Sequence, residues 1–226
     1  MATMEEILKR LKSKARPDQV AEMAKYGMTA EQRLGASIGD IMEIAKESGK
    51  DHQLAIDLWK TGIPEARVLA AMVDEPDKLT EDQMDDWVKD FNSWDVCDQV
   101  CGRLFDKHPR ARVKIHSWSE REEEFVKRAA FALIACLAVH DKDADDESFV
   151  ELLPVIERGA TDERNYVKKA VNWALRSIGK RNPNLNQAAI KAAEEIQRIN
   201  AKAARWIASD AIRELESEAV QQRLRK

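Results

Sequence analysis

Apolar residues recur along nearly the whole chain at steps of three and four, and no stretch alternates with a period of two. This pattern predicts an all-α protein. Read between the glycine and proline breaks, it predicts helices near 3–14, 17–26, 30–47, 51–60, 64–73, 81–91, 94–106, 110–117, 120–139, 146–158, 163–180, 186–199 and 201–218. Three start signals have the spacing of a capping box, in which a hydroxyl caps the helix and a residue three positions on reaches back. They are Thr29-Ala-Glu-Gln32, Thr80-Glu-Asp-Gln83 and Ser119-Glu-Arg-Glu122.

The helices are short and suit antiparallel pairing, and one segment repeats. Val126-Lys-Arg-Ala-Ala-Phe-Ala-Leu133 returns 41 residues later as Val167-Lys-Lys-Ala-Val-Asn-Trp-Ala174, with a looser echo at Glu65-Ala-Arg-Val-Leu-Ala-Ala-Met72. Paired helices at a period near 40 are the mark of HEAT-like and armadillo-like helical repeats, which stack into a curved solenoid with a concave binding face. The expectation is one such domain over residues 1–226, with an irregular helical bundle as the alternative.

Helix 163–180 has two faces. Val167, Val171, Ala174 and Ile178 form an apolar stripe, and Tyr166, Lys169, Trp173, Arg176 and Lys180 lie opposite at i, i+3, i+7, i+10 and i+14. An aromatic side chain among cations suits contact with bases, sugars and phosphates, whereas a half-buried packing role for Trp173 is the plainer reading. Arg128 holds the repeat position of Lys169, offset from the stripe Phe125, Ala129, Leu133 and Cys136. Both basic groups are expected on one side of the solenoid, and an ion pair of Arg128 with Glu124 is the alternative. Ser93 is expected to cap the helix that follows, with Asp95 in its first turn, where a carboxylate meets the helix dipole favourably. Asp98 lies one turn beyond Trp94 on the same face, and this aromatic–carboxylate pair can grip a cationic group or serve as ordinary structure.

Composition changes the picture only in part. The chain has 226 residues, 44% of them hydrophobic, enough for a packed core. The net charge of −4 argues against nucleic-acid binding, but the charge is segregated. Six basic residues and no acid lie between Arg164 and Arg181, and six acids against one lysine lie between Asp141 and Glu151. No run is long and apolar enough for a membrane span, and the start lacks the apolar run of a secretory signal, so a cytoplasmic protein is expected. Cys97, Cys101 and Cys136 read as buried thiols. The four histidines are scattered, no Cys/His spacing suggests zinc or another metal, and no phosphate-binding or dinucleotide glycine motif is present.

Several of these stretches together resemble the DNA alkylation repair family of HEAT-like alkylpurine DNA glycosylases, the AlkD-like group. They are His52-Gln-Leu-Ala55 through Leu58-Trp59, Glu65-Ala-Arg67, Trp87-Val through Ser93-Trp-Asp95 and Asp98, Phe125-Val-Lys-Arg-Ala-Ala-Phe131, and Val167 through Arg176 with Ile178-Gly-Lys180. The resemblance runs from about Tyr26 to Asn182. It implies a DNA N-glycosylase that releases N3- or N7-alkylated purines, with Asp98, Trp94, Trp173 and Arg128 as the catalytic set. Lys169, Arg176, Lys180 and Tyr166 are expected to contact DNA. No cofactor, no membrane association and a monomer are expected, with double-stranded DNA containing alkylated purines as the partner that the resemblance implies. The resemblance also implies that the damaged base need not be flipped into a pocket. The competing reading is a non-catalytic HEAT-like scaffold that binds DNA structures or a protein partner, since a fold alone does not fix a function.

Overall fold

The computed structural model describes residues 3–225. The described residues form fifteen α-helices and two short 3₁₀ turns, with no strand. They group into two compact units that divide between Pro109 and Arg110.

The first unit contains α1 (Met4–Ser13), α2 (Pro17–Lys25), α3 (Ile38–Ser48), α4 (His52–Lys60), α5 (Pro64–Val73), α6 (Glu81–Lys89) and α7 (Trp94–Arg103). Within it α5 packs on both α3 and α7, and α4 packs back on α5. The second unit contains α8 (Ala111–Ser119), α9 (Glu124–His140), α10 (Glu147–Val150), α11 (Leu153–Gly159), α12 (Asn165–Gly179), α13 (Pro183–Arg198), α14 (Lys202–Leu215) and α15 (Glu218–Leu224). Here α12 packs on both α9 and α14, with α13 between the last two in the chain.

The repeat is directly visible between α12 and α14. Lys168 lies over Trp206, Asn172 bonds Asp210 and Arg176 pairs with Glu214, and each partner is 38 residues further along the chain. A constant offset over about two turns means that the two helices run parallel and in register. Arg128 on α9 reaches the Tyr166 carbonyl on α12 across the same interval of 38. Parallel neighbours joined through an antiparallel helix are the stacking mode of HEAT-like repeats.

The apolar stripe Val167, Val171, Ala174 and Ile178 is fully buried, as are Ala129 and Leu133 on α9. Cys97, Cys101 and Cys136 are buried free thiols.

Several predicted boundaries move, each for a local reason. The helix expected over 30–47 begins at Ile38, because Ser37 and Asp40 form the capping box. Before it, Gln32 and Gly35 adopt positive φ, which unwinds the chain. A Cβ at Gly35 would lie 2.3 Å from the Arg16 carbonyl oxygen, so this close approach requires glycine. The expected box at Ser119 is also absent. Ser119 closes α8, its hydroxyl donating to the His116 carbonyl, and α9 starts at Glu124 without a side-chain cap. Thr80 does cap α6 by accepting from the Gln83 amide, but the Gln83 side chain turns away to Asp74.

Helix 146–158 divides into α10 and α11, whose first turn takes Pro154, a residue without an N–H to offer. Asn182 caps α13 ahead of Pro183, so that helix starts three residues earlier than expected. The last predicted helix ends at Leu215, and Ser217 caps the separate α15.

Gly159 at the end of α11 admits the fully buried Phe131 ring of α9, and a Cβ there would lie 2.2 Å from the ring carbon Cζ. Gly159→Ala is expected to lower stability by about 1–3 kcal/mol, the cost of overpacking a core, read from the urea midpoint.

Candidate functional site

The first cluster of candidate residues sits at the start of α7. Ser93 holds the N-cap position but makes no capping bond. Its fully buried hydroxyl instead bonds the Asp95 carboxylate and accepts from the Thr29 amide. Asp95, in turn, receives both terminal nitrogens of Arg33 at 2.9 and 3.0 Å. The Arg33 side chain is 4% exposed and that of Asp95 19%, so the pair is almost dry. A planar guanidinium matched to a carboxylate by two bonds holds both orientation and charge.

Ser93 thus keeps the N-cap position without the expected capping bond, and Asp95, in the first turn as expected, also clamps the loop between α2 and α3. Glu65, buried on α5, holds the next part of that loop through the Leu34 and Gly35 amides. Trp94 is tied to the same loop, its indole N–H donating to the Tyr26 carbonyl at 3.0 Å. Trp94 and Asp98 are both part-exposed, one turn apart on α7.

The second cluster lies on α9, α12 and α14. Arg128 is 6% exposed and donates to the Tyr166 carbonyl at 2.6 Å. It is thus sunk beneath the start of α12, unlike Lys169 at the matching repeat position, which is exposed. The cause is the burial of α9 on nearly every side, so leaving the apolar stripe does not bring a residue to the surface. The Tyr166 ring stacks on Phe125, with centroids 5.4 Å apart.

Further along α12 the basic row is compensated. Glu214 on α14 pairs with both Arg176 and Lys180, the latter at 2.6 Å, and Asp210 lies 3.6 Å from Arg176. Burial pushes the Glu214 carboxyl up, but the Lys180 hydrogen bond and the charges of Arg176 and Lys180 together hold it below the usual carboxylate range. The expected open basic row is in this part a closed charge network. Trp173, part-exposed, forms one wall of an open pocket of about 720 Å³ lined also by Lys142, Asp146, Lys180, Arg181 and Arg223.

The family model for "DNA alkylation repair enzyme" matches residues 7–215. The chain belongs to the DNA alkylation repair enzyme family. An uncharacterized protein of Listeria innocua serovar 6a is 21% identical over 204 residues, covering 88% of this chain and 89% of that protein. A solved structure, described as a new family of proteins related to the HEAT-like repeat DNA glycosylases with affinity for branched DNA structures, superposes with a TM-score of 0.79. It is 18% identical and covers 99% of this chain and 96% of its own, which establishes the HEAT-like fold.

Other stretches that resemble this DNA alkylation repair family serve the scaffold. Trp59 and Trp87 stack at 3.9 Å and 4°, Arg67 lies over Trp59, and Trp59 and Arg67 both bond Asp90. Sequence reasoning missed Arg33, Asp210 and Glu214. Arg33 is separated from Asp95 by 62 residues, so no local spacing signals it. The two acids were accessible in principle, since adding 38 to Asn172 and Arg176 lands on them. Among the described residues no group of three or more His, Cys, Asp or Glu could hold a metal ion, and no helix is long and apolar enough to cross a membrane.

Removing Arg33 strands the Asp95 charge. Arg33→Met should cost about 3 kcal/mol, the lower end for breaking a buried pair, measured by urea unfolding; a loss under about 1 kcal/mol would show a solvent-screened pair. Glu214 has a lowered folded-state pKa, so its contribution is fully present above the ordinary value of 4.5 and fades as pH falls through the lower folded value. Wild type should therefore lose more stability than Glu214→Gln between about pH 5 and the acid limb, compared through urea midpoints at each pH.

Proposed function

We propose that the protein is a DNA glycosylase that hydrolyses the N-glycosidic bond of N3- or N7-alkylated purines in double-stranded DNA. The observation that carries this reading is the placement of Trp94 and Asp98 one turn apart on α7, both part-exposed, which sets an aromatic face and a carboxylate on one side of the helix.

The chemistry suits a carboxylate with little acid catalysis. An alkylated purine carries a positive charge, so when the bond to the sugar breaks, the base leaves with the bonding electrons as a neutral molecule. Positive charge then gathers on the deoxyribose. Asp98 stabilises that cation electrostatically, and water adds to the sugar carbon and releases a proton. Trp94, from its ring face, favours the same charge. Within the second unit, Trp173 and Lys169 offer an aromatic wall and an exposed cation to the strand, and Arg128 orders the start of α12 through the Tyr166 carbonyl. Arg176 and Lys180 contribute to phosphate contact less than their number suggests, because Glu214 already answers both.

A second reading, DNA binding without bond cleavage, is supported by the solved structure that shares the fold and is described as having affinity for branched DNA structures. Base release separates the two. Wild-type protein incubated with methylated duplex DNA should liberate alkylpurines, and binding alone, with no release on several alkylated substrates, would establish the scaffold reading.

Asp98→Asn should slow release by about 100-fold, the effect of removing one preorganised group, while binding to intact duplex is retained or tightened because a negative charge beside phosphates is gone. Unchanged release kinetics in a normally folded Asp98→Asn protein would remove Asp98 from the reaction.

A further inference from the structure

The cations of α12 are not all compensated. Lys168 and Lys169 in its first half, and Lys202 and Arg205 at the start of α14, make no ion pair among the described residues, unlike Arg176 and Lys180 further along the same two helices. Among them stands Trp206, whose side chain is one of the few large apolar groups left open, at 41% exposure. The Lys168 ammonium lies 5.2 Å from the centre of its ring. On α14, Lys202, Arg205, Trp206 and Ser209 fall at i, i+3, i+4 and i+7, and all are exposed. Glu163, ahead of α12, accepts a hydrogen bond from the Ala203 amide at the start of α14.

We propose that Trp206, with Lys168, Lys169, Lys202 and Arg205, forms a binding platform for a single-stranded segment of DNA. The assignment rests on charge and on shape. Cations with no carboxylate partner attract a polyanion, and releasing the counterions of its phosphates drives association. An exposed indole among them offers a π-face on which an unstacked base can lie, and such stacking tolerates any base. Bases inside a duplex already stack on one another, so an aromatic platform gains most from an unpaired strand. The α12–α14 register accounts for the division along the helix pair. One end presents Lys168 and Trp206, the middle is bridged by Asn172 and Asp210, and the other end is neutralised by Glu214.

This platform extends the DNA-binding reading above, and its test is independent of base release. The full-length protein is titrated with a short fluorescent oligothymidylate, and in parallel with methylated duplex. Trp206→Ala should weaken oligothymidylate binding by about tenfold, and Trp206→Phe should restore most of it. Replacing Lys202 and Arg205 together by Ser should lower the slope of log affinity against log salt by about 1.4, the value for two single-strand phosphates. Thermal melts check that each variant is folded, and the lysine–arginine variant carries the test should Trp206→Ala melt early. Oligothymidylate binding unchanged in the folded Trp206 and Lys202/Arg205 variants would overturn the platform, as would equal competition by polyglutamate, which would mark a surface for acidic proteins. Failure of wild type to bind or depurinate the duplex would overturn the glycosylase reading and leave the oligothymidylate result to decide the platform.

Discussion

The two-pronged pair of Arg33 and Asp95 is the constraint on which the geometry of the first unit's candidate site depends. It joins residues 62 positions apart in a nearly dry environment, where a charge is costly unless its partner is held in good geometry. Through Ser93 and Thr29 the pair fixes the loop between α2 and α3, and through that loop's Tyr26 carbonyl it bears on Trp94. The placement of Trp94 on its helix thus depends on a contact made by the neighbouring carboxylate, Asp95. A carboxylate next to a proposed catalytic one need not compete with it when an arginine holds it elsewhere.

In the second unit the ordering element is a register. An offset of 38 residues carries α12 onto α14, so whatever α12 presents along that side is met by a defined residue of the next repeat. Stacking and the proposed DNA binding draw on the same side chains here. Arg176 and Lys180 strengthen the joint between repeats by pairing with Glu214, and the positive field they can offer a polyanion falls accordingly. Lys169, exposed and unpaired, and Trp173, at the wall of an open pocket, keep their reach toward solvent.

Membership of the DNA alkylation repair enzyme family and an acidic net charge are compatible for this reason. The total counts every lysine, arginine, aspartate and glutamate equally, whereas a strand of DNA meets only the local balance. On α12 and α14 that balance changes within three helical turns, from uncompensated cations beside Trp206 to the closed network at Glu214.

The all-helical class, the period near 40 and the buried stripe of α12 were legible in the residues themselves, because helical spacing and repetition are properties of adjacent positions. The shared face of Trp94 and Asp98 was legible for the same reason. Cap signals were less dependable. Thr29 and Ser119 have the spacing of capping boxes, yet positive φ at Gln32 and Gly35 unwinds the first and the continuing helix α8 absorbs the second. What each polar side chain spends its charge on was decided only in three dimensions. Asp95 holds Arg33 in addition to its first-turn place, Arg128 is a buried donor to the Tyr166 carbonyl, and Arg176 and Lys180 are partners of Glu214. A helical wheel shows the direction in which a side chain leaves its own helix, but the group waiting there comes from another turn of the repeat, and its charge and distance exist only after the helices have packed.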